Sequence, residues 1–342
     1  MKTRYAKYVS FSMTVLLHLM VSSPLAYSPA SNVQAVTSLS DKIINFSDNR
    51  ELKVTILHTN DTHAHLENIP RRFTAIHQIR NTRENTLLLD AGDVFSGVRY
   101  FNQFLGQADI KFMNEIGYDA MTLGNHEFDK SSEVLRNFIR AAAFPLVSAN
   151  IDLSKDKKLK NLAQPVIGTP GNPGVVYPAV IKVVDGQKVG IIGLTTEKTT
   201  ILSNPNKNIV FEDAFKHAKD TVTSLEEKGV NKIIVISHLG YDRDKDLAKN
   251  LEGIDIIVGS HSHTKLKKPD VYNQEKEPTL IVQAGKHGKY LGDLDLTFDE
   301  SGKLIKWKGK LINIMKKDQE GDFLYQEDEW AKKYLEELKS LK

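Results

Sequence analysis

From Lys53 onwards, short apolar runs alternate with amphipathic stretches along the chain. The runs are nearly continuous in apolar residues, which is typical of strands buried on both faces. In the first half the predicted strands are Val54–His58, Leu87–Asp90, Ala120–Leu123 and Leu146–Ala149. The predicted helices between them are Phe73–Arg80, Ile110–Ile116 and Ser132–Ala142. This β-α-β alternation indicates an α/β fold.

The second half continues the alternation and adds antiparallel signals. An Asp185–Gly186 turn between two apolar runs, Ala179–Val184 and Lys188–Leu194, predicts a hairpin. Further strands are predicted at Ile233–Ser237, Ile254–Val258, Thr279–Gln283, Asp293–Phe298 and Lys303–Leu311, with helices near Phe211–Lys228 and Asp244–Leu251. A parallel core with extra antiparallel strands favours a two-sheet α/β sandwich in one domain, residues 51–315. Residues 316–342 are predicted to be a tail with an isolated charged helix, Glu327–Leu338.

The beginning of the chain has a different character. A basic start precedes an apolar run, residues 8–21, and a stretch of small residues. This layout predicts a secretory signal peptide over residues 1–35, with cleavage after Ala26 or Ala35. The alternative is a membrane anchor, but the run is short for a span of about 20 residues. The signal predicts a secreted, periplasmic or cell-envelope protein with no stable membrane span after cleavage, and residues 36–50 are predicted to be a linker.

Composition excludes several functional classes. The sequence has no Cys, which excludes disulfides, thiol catalysis and thiolate ligands, so a metal must be held by His, Asp, Glu or Asn. The first 35 residues contain three of the 46 Lys and Arg and none of the 43 Asp and Glu. The remainder is therefore formally neutral and shows no basic stripe, and we expect no nucleic-acid partner.

Polar residues follow the first two predicted strands. Asp61 and His63 are two positions apart, and in an extended segment such side chains point to one side, where they would bind one cation. The alternative is an Asx turn with a solvated histidine. Asp93 follows the second strand, where it is either a helix cap or a carboxylate that bridges two metal ions.

The third predicted strand is followed by a third polar group. Asn125 offers an amide oxygen to a metal, and His126 can protonate or stabilise a leaving oxygen. Asp129 lies at helical spacing from His126 and can hold the tautomer and orientation of its imidazole. An Asn-His pair alone is unremarkable, and the following Asp makes the pattern more specific.

Histidines also follow two later strands. His238 comes after one strand, and the pair His261 and His263 comes after the next. A single histidine there is more often a satisfied polar residue than a ligand. Open α/β sheets, however, place ligands at the carboxyl ends of their strands, so five motifs at such ends predict two coordination spheres that share Asp93. His287, in a glycine-flanked loop, is expected to line this site.

Together these motifs resemble the calcineurin-like metallophosphoesterase superfamily. The series is Thr-Asn-Asp-x-His-x-His, Gly-Asp-x-x-x-Gly, Gly-Asn-His-Glu-Phe-Asp, Ser-His-x-Gly and Gly-x-His-x-His. Within that superfamily, residues 51–300 resemble the catalytic domain of the bacterial and animal 5′-nucleotidases. The resemblance implies a four-layer α/β/β/α sandwich with a dinuclear metal centre.

The same resemblance implies roles for individual residues. One metal ion would be held by Asp61, His63, Asp93 and His263. The other would be held by Asp93, Asn125, His238 and His261. His126 and Asp129 would form the catalytic dyad. Typical 5′-nucleotidases continue through a linking helix into a second domain that stacks on the nucleobase, whereas this sequence stops at Lys342, so a partner that supplies such a domain is one expectation.

The expected activity is metal-dependent hydrolysis of phosphate monoesters, with nucleotides as the leading substrates. A His, carboxylate and amide ligand set suits Zn, Mn, Fe or Co better than a lone Mg. Two divalent ions would share a hydroxide that attacks in line, and His126 would donate its proton to the leaving oxygen. Two alternatives stay open. One is a phosphodiesterase, for example of cyclic nucleotides, and the other is a metal- or nucleotide-binding module without efficient turnover.

Overall fold

Two β-sheets form the centre of the fold in a computed structural model that describes residues 50–95 and 97–341. The strands are β1 (Leu52–Thr59), β2 (Thr86–Asp90), β3 (Ala120–Thr122), β4 (Leu146–Val147), β5 (Ile151–Asp152), β6 (Val176–Tyr177), β7 (Ala179–Val184), β8 (Gln187–Thr195), β9 (Val210–Phe211), β10 (Ile233–His238), β11 (Ile256–Gly259), β12 (Asp270–Tyr272), β13 (Thr279–Val282), β14 (Tyr290–Phe298) and β15 (Leu304–Asn313).

The α-helices lie mostly between strands. They are α1 (Ile69–Arg80), α2 (Arg99–Phe104), α3 (Gln107–Ile116), α4 (Ser132–Ala141), α5 (Thr199–Leu202), α6 (Ala214–Glu226), α7 (Tyr241–Asn250) and α8 (Glu329–Ser340). Two single-turn 3₁₀ helices, Leu66–Asn68 and His126–Phe128, lie in loops that follow β1 and β3.

Both sheets have a parallel core with antiparallel edges. The seven-stranded sheet has the order β15-β14-β1-β2-β3-β4-β6, in which β14 and β15 run antiparallel. The six-stranded sheet has the order β12-β13-β11-β10-β8-β7, in which β7 and β12 are the antiparallel edges. A short antiparallel pair, β5 and β9, lies outside both sheets.

The alternation of side chains along each strand divides the core into three layers. In β2, Leu87 and Leu89 pack between the two sheets, whereas Leu88 packs against the helices of the first sheet. In β10, Ile236 packs between the sheets, whereas Val235 packs against α6 and α7. Each sheet is thus covered by helices on its outer face, and this confirms the predicted four-layer α/β/β/α sandwich.

Most predicted elements are present with small shifts at their ends. The predicted hairpin is formed by β7 and β8, and its turn residues Asp185 and Gly186 have φ of 47° and 79°. Such positive φ values suit a two-residue hairpin turn. The sequence pattern did not predict α2 and α5, because α2 spans only Arg99–Phe104 and α5 only Thr199–Leu202, too short to show a helical period.

The C-terminal helix is not isolated, which corrects the prediction made for residues 316–342. The buried residues of α8 are Ala331, Leu335 and Leu338, and they join the core cluster under the first sheet. Trp330 of α8 stacks on Phe73 of α1, with ring centroids 5.7 Å apart. The apolar face of α8 therefore anchors this segment to the domain.

We expect Leu335→Ala to lower the free energy of unfolding by about 2–4 kcal/mol, because it leaves a cavity in this core. Leu335 is 4% exposed, whereas Leu341 after the helix is 53% exposed. Leu341→Ala is therefore the matched control, and urea unfolding of both variants is the measurement. Equal stabilities would show that α8 contributes nothing to the core.

The predicted signal peptide and residues 36–49 of the predicted linker lie outside the described residues. The described residues belong to one compact unit. Among residues 50–95 and 97–341, every helix is too short or too polar to span a bilayer.

Candidate metal centre

Seven polar side chains converge where strands of both sheets end. Three of the loops follow β1, β2 and β3 of the first sheet, and the other two lie at the ends of β10 and β11 of the second. The seven residues are Asp61, His63, Asp93, Asn125, His238, His261 and His263. The facing sheets therefore present their carboxyl ends at the same edge of the sandwich.

The backbone is strained at this edge. Five of the seven residues have left-handed backbone, with φ between 49° and 69°: Asp61, His63, Asp93, His261 and His263. Non-glycine residues adopt this region at a cost of roughly 1–3 kcal/mol each, and such strain collects at functional sites. Five such residues at one edge indicate that contacts within the site stabilise backbone conformations that these residues would not adopt by themselves.

The expectation of an extended Asp61–His63 segment is wrong, because φ is 49° at both residues. The loop after β2 holds this turn, since the Asp61 and His63 amides donate to the carbonyls of Gly92 and Asp93 at 2.9 and 3.0 Å. The two side chains still approach one another, with His63 Nε2 lying 4.0 Å from Asp61 Oδ1. Tertiary contacts, and not strand alternation, bring them together.

The first cluster contains Asp61, His63 and His263. The Nε2 atoms of the two histidines are 3.1 Å apart, and that of His263 lies 3.6 Å from Asp61 Oδ1. Nδ1 of His63 lies 3.2 Å from the Phe95 carbonyl, to which it can only donate. The neutral imidazole therefore carries its lone pair on Nε2, and the nitrogen pair and carboxylate oxygen can hold one cation.

The second cluster contains Asp93, His238 and His261. One ligand atom of each residue lies within 4.8 Å of the others, and His238 Nε2 is 3.1 Å from Asp93 Oδ2. A ligand atom of Asp93 also lies within 4.8 Å of ligand atoms of His63 and His126. The Asp93 carboxylate therefore lies between the two clusters and can contribute to both.

Two buried atoms of the centre have no partner in hydrogen-bonding geometry, namely Asn125 Oδ1 and His238 Nε2. Nδ1 of His238 donates to the Ala91 carbonyl at 2.8 Å, so Nε2 is the ring nitrogen that faces the centre. A buried polar atom without a partner costs about 1–3 kcal/mol, and a cation would satisfy both atoms. The residues therefore fit divalent cations, and their nitrogen and oxygen donors suit Zn, Mn, Fe or Co.

The Asp61 carboxylate also joins the two sheets. It is fully buried and accepts hydrogen bonds from Asn60 Nδ2 at 2.6 Å, Ser260 Oγ at 2.7 Å and the His261 amide at 3.1 Å. Since Asn60 follows β1 and Ser260 follows β11, these bonds fix the loops of opposite sheets against each other. Asn60 and Ser260 are thus positioning residues that the sequence interpretation did not single out.

Glu127 is the most important residue that the sequence interpretation missed. Its side chain is fully buried and accepts four backbone amides. Oε1 accepts from Val94 at 2.8 Å and Phe95 at 3.0 Å, and Oε2 accepts from Asp93 at 2.9 Å and Gly124 at 2.6 Å. One carboxylate thereby holds the loops after β2 and β3 together. The sequence signal that could have indicated this role is the position of Glu127 in the motif Gly-Asn-His-Glu, where a charged residue directly follows candidate site residues.

Gly124 allows these loops to approach closely. A Cβ atom at this position would lie 2.2 Å from Asp93 Oδ1 and 2.7 Å from His238 Cε1. Only glycine leaves room for the carboxylate and the imidazole. The glycine of the motif is therefore required by packing at the centre.

The candidate dyad lies at the edge of the centre. His126 Nδ1 is 2.6 Å from Asp129 Oδ2, and the two side chains are 37% and 26% exposed. The His126 amide donates to Asp93 Oδ1 at 2.9 Å, and its ring meets that of His63 edge-on with centroids 5.1 Å apart. The hydrogen bond with Asp129 raises the pKa of His126 to about 9, so a protonated imidazole borders the centre at neutral pH.

Burial and neighbouring charge set the protonation of the other imidazoles. Burial lowers the pKa of His63 and of His261 to about 4, so both are neutral ligands at neutral pH. Burial also lowers the pKa of His238, but the Asp93 carboxylate outweighs it and raises that pKa to about 10. A metal ion at His238 would therefore displace a proton, and acidic solution would weaken its binding.

Two further histidines lie beside the first cluster. His287 was expected to line the site, and its ring centroid lies 5.8 Å from that of His63. His65 stacks on His287 with centroids 3.8 Å apart, and its Nδ1 lies 3.0 Å from the His63 carbonyl. The His287 amide donates to the Asp61 carbonyl at 2.8 Å, so this loop supports the turn after β1.

Comparison with known proteins connects this geometry to a family. Residues 54–265 match the family model for calcineurin-like phosphoesterases. The chain is 44% identical over 310 residues to the trifunctional nucleotide phosphoesterase protein YfkN of Bacillus subtilis, covering 84% of this chain and 21% of that protein. It is 38% identical over 299 residues to the snake venom 5′-nucleotidase of Naja atra, covering 78% of this chain and 54% of that protein.

A solved structure agrees with the sequence relatives. The 5′-nucleotidase precursor of Thermus thermophilus superposes with a TM-score of 0.74 and 40% identity, over 84% of this chain and 58% of that one. The chain thus spans about half the length of the two 5′-nucleotidases, and about a fifth of the Bacillus protein. The family model covers most of the sandwich and both clusters, and it confirms the family that the motifs predicted. The chain therefore belongs to the calcineurin-like phosphoesterase family of metal-dependent phosphoester hydrolases.

Proposed function

We propose that this protein hydrolyses phosphate monoesters, with nucleotides as substrates, at a centre of two divalent cations. The observation that carries the proposal is the pair of ligand clusters that meet at Asp93, with His126 in contact with the same carboxylate. Relatives named as nucleotide phosphoesterase and 5′-nucleotidase support nucleotides as the substrate class.

The proposed ligands follow the clusters. Asp61, His63, Asp93 and His263 would hold one ion, and Asp93, Asn125, His238 and His261 would hold the other. When bound, the cations would neutralise charge on the phosphoryl oxygens and lower the pKa of water at the centre. Zn, Mn, Fe and Co all match the donor set, and the two unpartnered atoms of Asn125 and His238 support the second position.

Side chains of the protein would hold the metal ligands in place and protonate the leaving oxygen. Glu127 and Asp61 hold the loops so that the ligands keep their positions without moving during the reaction. His126 would carry a proton, kept on the imidazole by Asp129, and would donate it to the oxygen that leaves the phosphorus. Asp129 accepts from Nδ1, so the other ring nitrogen is the one available to the leaving group.

We also propose that the protein is exported. The signal-like layout of residues 1–35 motivates this, and a relative from snake venom is consistent with it. Because the chain spans only part of its relatives, recognition of the nucleoside by residues supplied elsewhere, in a further domain or a partner, belongs to the proposal.

A comparison of ester classes tests the activity. Protein supplied with Mn²⁺ or Zn²⁺ is expected to release p-nitrophenol from p-nitrophenyl phosphate at least about tenfold faster than from bis(p-nitrophenyl) phosphate, since the site would bind a dianionic phosphoryl group. Phosphate release from nucleoside 5′-monophosphates is the parallel assay. Faster hydrolysis of the diester, or of cyclic nucleotides, would favour the phosphodiesterase. Nucleotide binding without any turnover would favour a binding module.

Asp129→Asn tests the proton donor separately from the metal ligands. We expect turnover of an alkyl ester such as glycerol phosphate to fall about 10²–10³-fold, because its leaving oxygen needs a proton. Turnover of p-nitrophenyl phosphate should fall much less, because p-nitrophenolate leaves unaided. Asp185→Asn, in the exposed β7–β8 turn, is the matched control. Equal losses on both esters would remove His126 and Asp129 from the protonation step.

A further inference from the structure

A cavity with mixed polar and apolar walls lies beneath the metal centre, between α1, α3 and the end of β2. Its volume is about 20 Å³, which is enough to hold one buried water molecule. Its polar walls are supplied by Thr62, Arg72, Asp90, Asp109 and Tyr118, and the remaining walls are apolar. No step of the proposed hydrolysis uses this cavity.

Arg72 is the first unusual feature of the cavity. The residue is 5% exposed, yet its guanidinium makes no hydrogen bond and no ion pair with any residue in the described parts of the chain. Neighbouring Arg71, by contrast, donates to the Tyr325 carbonyl at 2.8 Å and pairs with Glu327 at 3.1 Å. A guanidinium has five N–H donors, and because Arg72 lines the cavity, a small acceptor inside the cavity could bind to it.

Asp109 is the second unusual feature. This residue in the first turn of α3 is 3% exposed, and its Oδ2 atom is buried without a hydrogen-bond partner. Burial raises the pKa of Asp109 to about 8 and that of Asp90 to about 6, and the Arg72 charge acts against burial on both. Arg72 and Asp109 therefore line the same cavity and make no hydrogen bond with each other.

The surroundings of Arg72 connect it to the loops of the metal centre. Asp90 Oδ1 accepts the Gly92 amide at 2.9 Å, in the turn that leads to Asp93. On another side, a Cβ atom at Gly288 would lie 3.2 Å from Arg72 Nη1, so the guanidinium packs against the loop that contains His287. The positive charge thus lies under two loops that shape the centre.

We propose that this cavity is an internal hydration site, in which one ordered water molecule bridges the Arg72 guanidinium and the Asp109 carboxyl group. The water accepts from one N–H of the Arg72 guanidinium and donates to Asp109 Oδ2, so it gives the unpartnered carboxyl oxygen a partner and links it to the guanidinium. A site with several polar partners and sufficient room is the type that retains a buried water. The bridge makes Arg72 and Asp109 a coupled pair beneath the metal centre.

A crystal structure of the mature protein at about 1.8 Å resolution is the direct test. The expected result is density for a water within about 2.6–3.2 Å of an Arg72 nitrogen and of Asp109 Oδ2. Direct contact between Arg72 and Asp109, or a cavity without density, would overturn the proposal.

A double-mutant cycle tests the coupling in solution. Arg72→Met and Asp109→Leu are each expected to lower the melting temperature, by roughly 6–15 °C for Arg72→Met, because each removes one end of the bridge and leaves the other end without its partner. The double variant should lose clearly less than the sum of the two single losses, since neither end of the bridge then remains as a polar group without its partner. Glu115→Gln on the exposed side of α3 is the control and should change the melting temperature little. Additive losses would contradict a bridged pair.

Discussion

Replacement of Asp93 by Ala is expected to reduce hydrolysis of p-nitrophenyl phosphate by about 10³-fold or more. Asp93 is the residue that both ligand clusters share, and its carboxylate also accepts the His126 amide at 2.9 Å. Removing it would weaken both cation positions and release the backbone next to the proposed proton donor. Loss of a single transition-state contact already costs about 10²–10³-fold, and this change removes more than one.

Steady-state kinetics at saturating Mn²⁺ or Zn²⁺, with bound metal counted by atomic emission, is the measurement. Asp242→Ala is the matched control, because the Asp242 side chain is 92% exposed and pairs only with Lys245 among the residues of the described chain. The control should keep turnover within about twofold of the parent protein, as expected for a surface change. Near-normal turnover of the Asp93 variant would show that the reaction does not depend on the shared carboxylate.

Glu127→Gln is expected to lower the free energy of unfolding by roughly 3–5 kcal/mol, as for other broken buried charge networks. The carboxylate accepts two amides at each oxygen, whereas a glutamine offers one oxygen and one NH₂ group. Two of the four amides would face a donor in place of an acceptor. The loops that carry Asp93 and Asn125 would then separate, and hydrolysis should fall together with metal affinity.

Urea unfolding and metal titration of the same preparation separate the two effects. Glu336→Gln on the exposed face of α8 is the matched control and should change neither quantity. Glu127→Asp keeps the charge but shortens the side chain, and it should recover part of the metal affinity lost in the Gln variant. A Glu127→Gln protein with parental stability and parental metal affinity would contradict the positioning role.

Much of the sandwich could be predicted from the sequence because its strands are buried on both faces. Continuous apolar runs such as Ile233–Ser237 mark β10 within one residue, and the Asp185–Gly186 turn specifies a hairpin locally. The short elements could not be predicted in this way. β3 and β4 end earlier than their apolar runs, at Thr122 and Val147, before the loops that contain Gly124 and Ala149.

The ligand set could be predicted for a different reason. Each candidate follows a strand, and parallel strands bring their carboxyl ends together whatever the loop conformation. The conformation itself could not be predicted, since Asp61 and His63 are held left-handed by carbonyls about thirty residues later in the chain. Glu127 was missed because its partners, the amides of Asp93, Val94 and Phe95, are equally distant in sequence.

In the C-terminal helix, the spacing of apolar residues indicated packing against the domain, but the high density of charged residues led to the opposite prediction. Ala331, Leu335 and Leu338 recur at helical spacing and form one apolar face, as expected for a packed helix. The many charged residues around them suggested a solvated helix instead. Charge density describes the outer face of such a helix, whereas the spacing of apolar residues describes whether it packs.

Anomalous diffraction from crystals of the protein grown with Mn²⁺ tests the central claim most directly. The account predicts two peaks, one bounded by Asp61, His63 and His263 and the other by Asn125, His238 and His261, with Asp93 between them. Metal at neither cluster, with the imidazoles of His63 and His238 bound only to protein groups, would contradict it.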